Sequence, residues 1–79
     1  MNTFFKELEK MMESFNYDRE AIEFLQWYYS DEDTDSFTSE DAHRFYNIAL
    51  ECYALKKEND SIDAFQEYIK RVNSLEVSK

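Results

Sequence analysis

Apolar residues recur along this chain at the three- and four-residue spacing of an α-helix, and no stretch alternates as a strand does. Phe4, Phe5, Leu8, Met11, Met12 and Phe15 fall on one stripe, which predicts a first helix from about Thr3 to Ser14. Asn16 or Asp18 is placed to cap a second helix that continues to about Tyr29. There Ala21, Leu25 and Tyr28 share one stripe, while Phe24 and Trp27 point well away from Leu25. A helix apolar over so much of its circumference is either central in its domain or exposes a contact face.

The run Ser30-Asp31-Glu32-Asp33-Thr34-Asp35-Ser36 reads as a loop. Thr38 followed by Asp41 resembles a capping box, with Asp in the place usually held by Glu, so a third helix is expected to start there. Its inner face carries Phe45, Ile48, Ala49, Cys52 and Leu55, with Tyr46 and Tyr53 beside them. Lys56 and Lys57 suit its C-terminus, Asn59 a left-handed cap, and Asp60 or Ser61 the start of a fourth helix. Ile62, Phe65, Ile69 and Val72, flanked by Tyr68 and Leu75, form the last stripe, with fraying expected past Leu75. The expected fold is all-α: about four helices in two hairpins, packed as a small bundle. Residues 1–79 make a single domain with an acidic inter-hairpin loop at 30–38.

Composition strengthens this reading. The chain has neither Gly nor Pro, which β-turns and βαβ units normally require. Seven Phe, six Tyr and one Trp compensate for small size, because each ring buries a large area. The longest charge-free run is Phe24 to Ser30, far short of the ~20 residues of a membrane span. Lys6, Glu7, Glu9 and Lys10 interrupt anything resembling a secretory signal. The one cysteine, Cys52, cannot form an internal disulfide, so a cytoplasmic location is expected.

The halves resemble each other. Phe5, Leu8, Met12, Ala21 and Leu25 overlay Phe45, Ile48, Cys52, Ser61 and Phe65 at a constant offset of forty. The stretch Asn16-Tyr17-Asp18-Arg19-Glu20-Ala21-Ile22-Glu23 resembles the second helix of a tetratricopeptide repeat. That resemblance implies stacked hairpins as the alternative to an ordinary bundle. The chain departs from the family at Glu9, Tyr28 and Tyr68, where small residues are usual, and no Pro follows either hairpin. Its period also exceeds the family's 34 residues.

No constellation of catalytic residues emerges, and the chain is not expected to be an enzyme. Cys52 and His43 are nine residues apart on one helix, half a turn out of phase, and cannot form a dyad. Glu40-x-x-His43 has the spacing of half a di-iron carboxylate site, but a lone His supplies no second half. Asp31-x-Asp33-x-Asp35 matches positions one, three and five of an EF-hand loop. Ser36 stands where that loop needs Gly, and Ala42 where it needs a bidentate Glu. No metal and no cofactor is therefore expected.

Charge and aromatics point instead to binding. The net charge is −9, and residues 1–42 hold the whole surplus, twelve acids against three bases. Six acids and no base fall between Asp31 and Asp41. Beside them lies Trp27-Tyr28-Tyr29, whose rings span about 200° of a helix, so at least one should be exposed. The expected partner-binding residues are Trp27, Tyr29, Asp31, Glu32, Asp33 and Asp35. The expected function is a protein-interaction module, an adaptor or inhibitor, whose partner has a basic surface. A nucleic-acid mimic that blocks a DNA- or RNA-binding protein is the alternative. Homodimerisation through exposed rings is a further possibility, whereas the charge disfavours direct contact with nucleic acid or a membrane surface.

Overall fold

The structure, a computed structural model, describes residues 3–77, with side chains through Ser74. Four helices follow one another: α1 (Thr3–Glu13), α2 (Arg19–Tyr28), α3 (Ser39–Glu58) and α4 (Ala64–Val77). No strand occurs among the described residues, and the all-α bundle expected from periodicity is the fold observed. Helix α4 is described two residues beyond Leu75, where fraying was expected, and the side chains of residues 75–77 lie outside the description.

Polar side chains start three of these helices. The Asp18 carboxylate accepts the Glu20 N–H at 2.9 Å and opens α2. Both halves of the expected capping box form at α3: Thr38 Oγ1 accepts the Asp41 N–H at 3.2 Å, and Asp41 Oδ2 accepts the Thr38 N–H at 2.9 Å. At α4 the cap is Asp63, whose Oδ1 accepts the Phe65 N–H at 3.0 Å, rather than Asp60 or Ser61. Asn59 is extended (φ −145°, ψ 104°), not left-handed, and its side chain takes the Ser61 N–H at 3.1 Å. That local bond turns the chain and delays the next helix to Asp63. Among the described residues none has positive φ, which is how a chain without Gly makes its connections.

Helix α1 stops earlier than its stripe suggests. Ser14 N–H closes on the Met11 carbonyl at 3.1 Å, and Ser14 Oγ accepts the Asn16 N–H at 3.2 Å. Phe15 is thereby released from the helix and fully exposed, although periodicity assigned it to the core face.

Helix α3, not α2, is the central element, since it packs against each of the other three. Of its four buried residues, Ala42, Ala49 and Cys52 are small, which lets neighbouring backbones approach, and Tyr46 is the one large ring. The bulkier Phe45, Ile48 and Tyr53, expected on or beside the inner face, pack only partly buried at the margin. The Tyr46 hydroxyl accepts the Asp18 N–H at 2.7 Å and pins the α1–α2 turn to α3. The forty-residue overlay departs furthest at one pair: Ala21 is buried in α2, whereas Ser61 is exposed in the turn before α4. The cause is length, because α3 has 20 residues and α1 only 11.

Helices α2 and α4 meet in another way. Among the described residues no Cα of one lies within 8 Å of the other. Rings fill the space: Phe24 and Tyr28 each lie 5.0 Å from Tyr68, and Phe24 lies 6.2 Å from Phe65. Just past the end of α2, the Tyr29 hydroxyl is 2.8 Å from that of Tyr68, a hydrogen bond wholly inside the protein. Burial first, then this bond, pushes the Tyr68 hydroxyl far above the ordinary tyrosine range.

Two outcomes follow. Tyr29→Phe removes this partner from a buried hydroxyl and should cost about 1–3 kcal/mol in urea unfolding, while Tyr29→Phe with Tyr68→Phe costs less. Because the folded state raises the Tyr68 pKa, its stabilisation is full below the unfolded value near 10 and falls as pH rises beyond it. Urea midpoints should therefore drop between about pH 10 and 11, and less steeply in the double variant.

Candidate protein-docking site

Trp27 and Tyr29 separate at the end of α2. Trp27 lies about 200° around the helix from Leu25 and is 62% exposed. Tyr29 follows Leu25 by four residues, and its N–H still bonds to the Leu25 carbonyl at 3.0 Å. It therefore faces inward as Leu25 does, only 5% exposed, with its ring packed on Phe4, Phe37 and Phe45. The expectation that Tyr29 faces a partner is corrected: it is a core residue. The stripe Ala21, Leu25, Tyr29 was present in the sequence, but the adjoining polar loop concealed its last member.

The turn beyond α2 is held by the Ser30 hydroxyl, which donates to the Trp27 carbonyl at 2.9 Å, and by Glu32 N–H on the Tyr29 carbonyl at 3.2 Å. These bonds bring Asp31 and Glu32, both exposed, alongside Trp27. With Tyr28, Ser30 and Phe65 they line an open recess of about 320 Å³. Phe65, expected only as core, stands half-buried against Trp27, with ring centroids 5.5 Å apart. No periodicity rule separates such a rim residue from a core one.

Asp33 and Asp35 are exposed but do not line that recess. Asp33 Oδ1 accepts the Asp35 N–H at 3.1 Å, and Thr34 between them turns into the core. The loop is thus folded around a buried threonine. Among the described residues no three His, Cys, Asp or Glu side chains converge as a metal site would need. Glu40 is exposed, and His43 Nε2–H donates to Glu7 Oε2 at 2.7 Å, joining α3 to α1. Cys52 is buried, and burial outweighs the nearby Arg71 in raising its thiol pKa, which suits a neutral core residue.

A second open recess, of about 420 Å³, lies on the far side of the Trp27–Phe65 pair, toward the start of α2. This one ring pair therefore stands between two acid-edged hollows. No protein-family model, curated protein or solved structure matches the chain.

Exposure sets an expected contrast in stability. Trp27→Ala should shift unfolding free energy by no more than about 1 kcal/mol, because most of the ring is already in water. Phe24→Ala, one turn away and buried, should cost about 3–5 kcal/mol in the same urea titrations.

Proposed function

We propose that the protein is a small acidic interaction module, an adaptor or inhibitor, that docks on the basic surface of a protein partner and catalyses no reaction. The observation carrying this reading is an exposed tryptophan beside Asp31 and Glu32 in one recess. Tryptophan is enriched among the residues that dominate binding energy, and the carboxylates supply attraction for a basic patch. Asp33 and Asp35 contribute through longer-range charge. Tyr29 supports the turn from beneath. No described helix is long and apolar enough to cross a membrane. The free, buried Cys52 is compatible with action in the cytoplasm.

Outside the loop, many acids are paired with bases on the helices, including Lys10 with Glu7, Arg19 with Glu23, and Arg71 with Glu67. This favours docking over nucleic-acid mimicry, which needs an unbroken field of negative charge. Self-association through Trp27 would set acid-edged recesses against each other.

The test uses the partner retrieved with the tagged protein and compares binding kinetics of variants. Asp31→Asn, Glu32→Gln, Asp33→Asn and Asp35→Asn together should slow association and flatten its salt dependence. Trp27→Ala should speed dissociation and weaken binding by about 2 kcal/mol or more. Wild-type kinetics in both variants would sink the reading. A nucleic-acid-binding partner released by salt, with no contribution from Trp27, would favour mimicry instead.

A further inference from the structure

The second recess has a chemical character of its own. Its apolar wall is made by Phe24, Trp27 and Phe65. These rings are steeply inclined: Trp27 and Phe65 at 62°, Phe24 and Phe65 at 75°, Phe24 and Trp27 at 44°, with centroids 5.5–6.2 Å apart. They line a trough instead of stacking as a slab. Ala64 also lines it, and its methyl group is too small to fill the space. Glu20, Glu23 and Asp63 stand at its edge, against a single base, Lys56. Tyr53, also in the wall, has its hydroxyl pKa raised by burial first and then by the charges of Glu20 and Asp18.

Inclined π faces and carboxylates together select one kind of ligand. An anion is repelled, and a neutral apolar group leaves the carboxylates unused. A cation is favoured by both, through attraction to ring faces and charge-assisted hydrogen bonds. Arginine fits better than lysine, because its flat guanidinium stacks on an aromatic face of the wall while its forked N–H groups reach carboxylates at the edge. The existing Arg19–Glu23 pair, at 3.4 Å on the exposed face of α2, is weak enough to be exchanged.

We infer that this trough receives an arginine side chain from a basic segment of the partner, whose neighbouring apolar residue lies on Trp27. The inference rests on the docking reading and names the chemistry of what docks. Geometry sets a spacing. Glu20 and Trp27 are seven residues apart on α2, about 10 Å, which an extended peptide covers in about three residues. The matching segment carries arginine three positions from an apolar residue, with a further base toward Asp31 and Glu32. A second copy of this chain is a poor occupant, because its own net charge is −9.

Trp27 is the sole tryptophan and borders both recesses, so its fluorescence reports binding directly. The probe is the capped hexapeptide arginine–alanine–alanine–leucine–alanine–arginine. It is compared with versions carrying lysine or neutral citrulline in place of both arginines. The arginine peptide should give a saturable signal, the lysine peptide a several-fold weaker one, and citrulline none. Glu20→Gln, Glu23→Gln and Asp63→Asn together should weaken binding about tenfold or more, with Asn preserving the α4 cap. Lys56→Gln should tighten it about twofold by removing a like charge. Glu20→Gln with Glu23→Gln alone repeats the test without touching that cap.

No saturable signal, or equal binding of the citrulline peptide, overturns the inference. So does peptide binding that survives the groove variants. If it survives them but is lost in Asp31→Asn/Glu32→Gln, the groove assignment fails while the docking reading stands. If the groove variants abolish it and the native partner ignores both Trp27 and the loop acids, the docking reading fails and the cation trough stands.

Discussion

Between α2 and α4 the fold depends on aromatic rings, not on close backbone packing. Tyr68 is the keystone: fully buried, it meets Phe24 and Tyr28 edge-on and bonds to the Tyr29 hydroxyl. Ring pairs of this kind prefer inclined geometry at 4.5–7 Å, which holds two helices apart as firmly as it holds them together. The surface between them therefore cannot close into a seam. Trp27 and Phe65 occupy its rim, and the two recesses are the space left on either side of them.

The acids divide by role. Asp18, Asp41 and Asp63 cap helices, and Glu7 joins α1 to α3 through His43. Asp33 folds its own loop. Five acids stand around one ring pair: Asp31 and Glu32 on one side, Glu20 and Glu23 on the other, with Asp63 serving both fold and surface. A net charge alone does not describe this surface. Its placement does.

The helices were legible in the sequence because their apolar periodicity and their Asp18 and Thr38–Asp41 caps are local signals. The centrality of α3 was not, since it depends on three packed neighbours and on small residues that carry little hydrophobic weight. Phe15 was misplaced because a serine side chain ended α1 before the stripe did. At the site, the sequence showed that Trp27 and Leu25 face apart, and the structure exposes Trp27. It also grouped Tyr29 with the loop, where register had already committed that ring to the core. Phe65, Glu20, Glu23 and Asp63 join the surface only through the approach of α4, and no spacing rule along the chain brings them together.

A gap whose width is set by ring size has a consequence for how such a protein changes over generations. Exchanging one ring for another at Phe65 or Tyr53, or trimming Glu20 or Glu23, alters the breadth and polarity of the trough while α3 still anchors both neighbouring backbones. The proposed recognition surface and the folding core share Phe24 and Ala64 but otherwise separate: Trp27 and the rim acids on one side, Phe4, Leu8, Leu25 and Tyr68 on the other. On the docking reading proposed above, partner preference can drift by single substitutions without crossing a stability threshold, which small domains otherwise meet quickly. In a chain of 79 residues that separation is a route to new specificity on an unchanged scaffold.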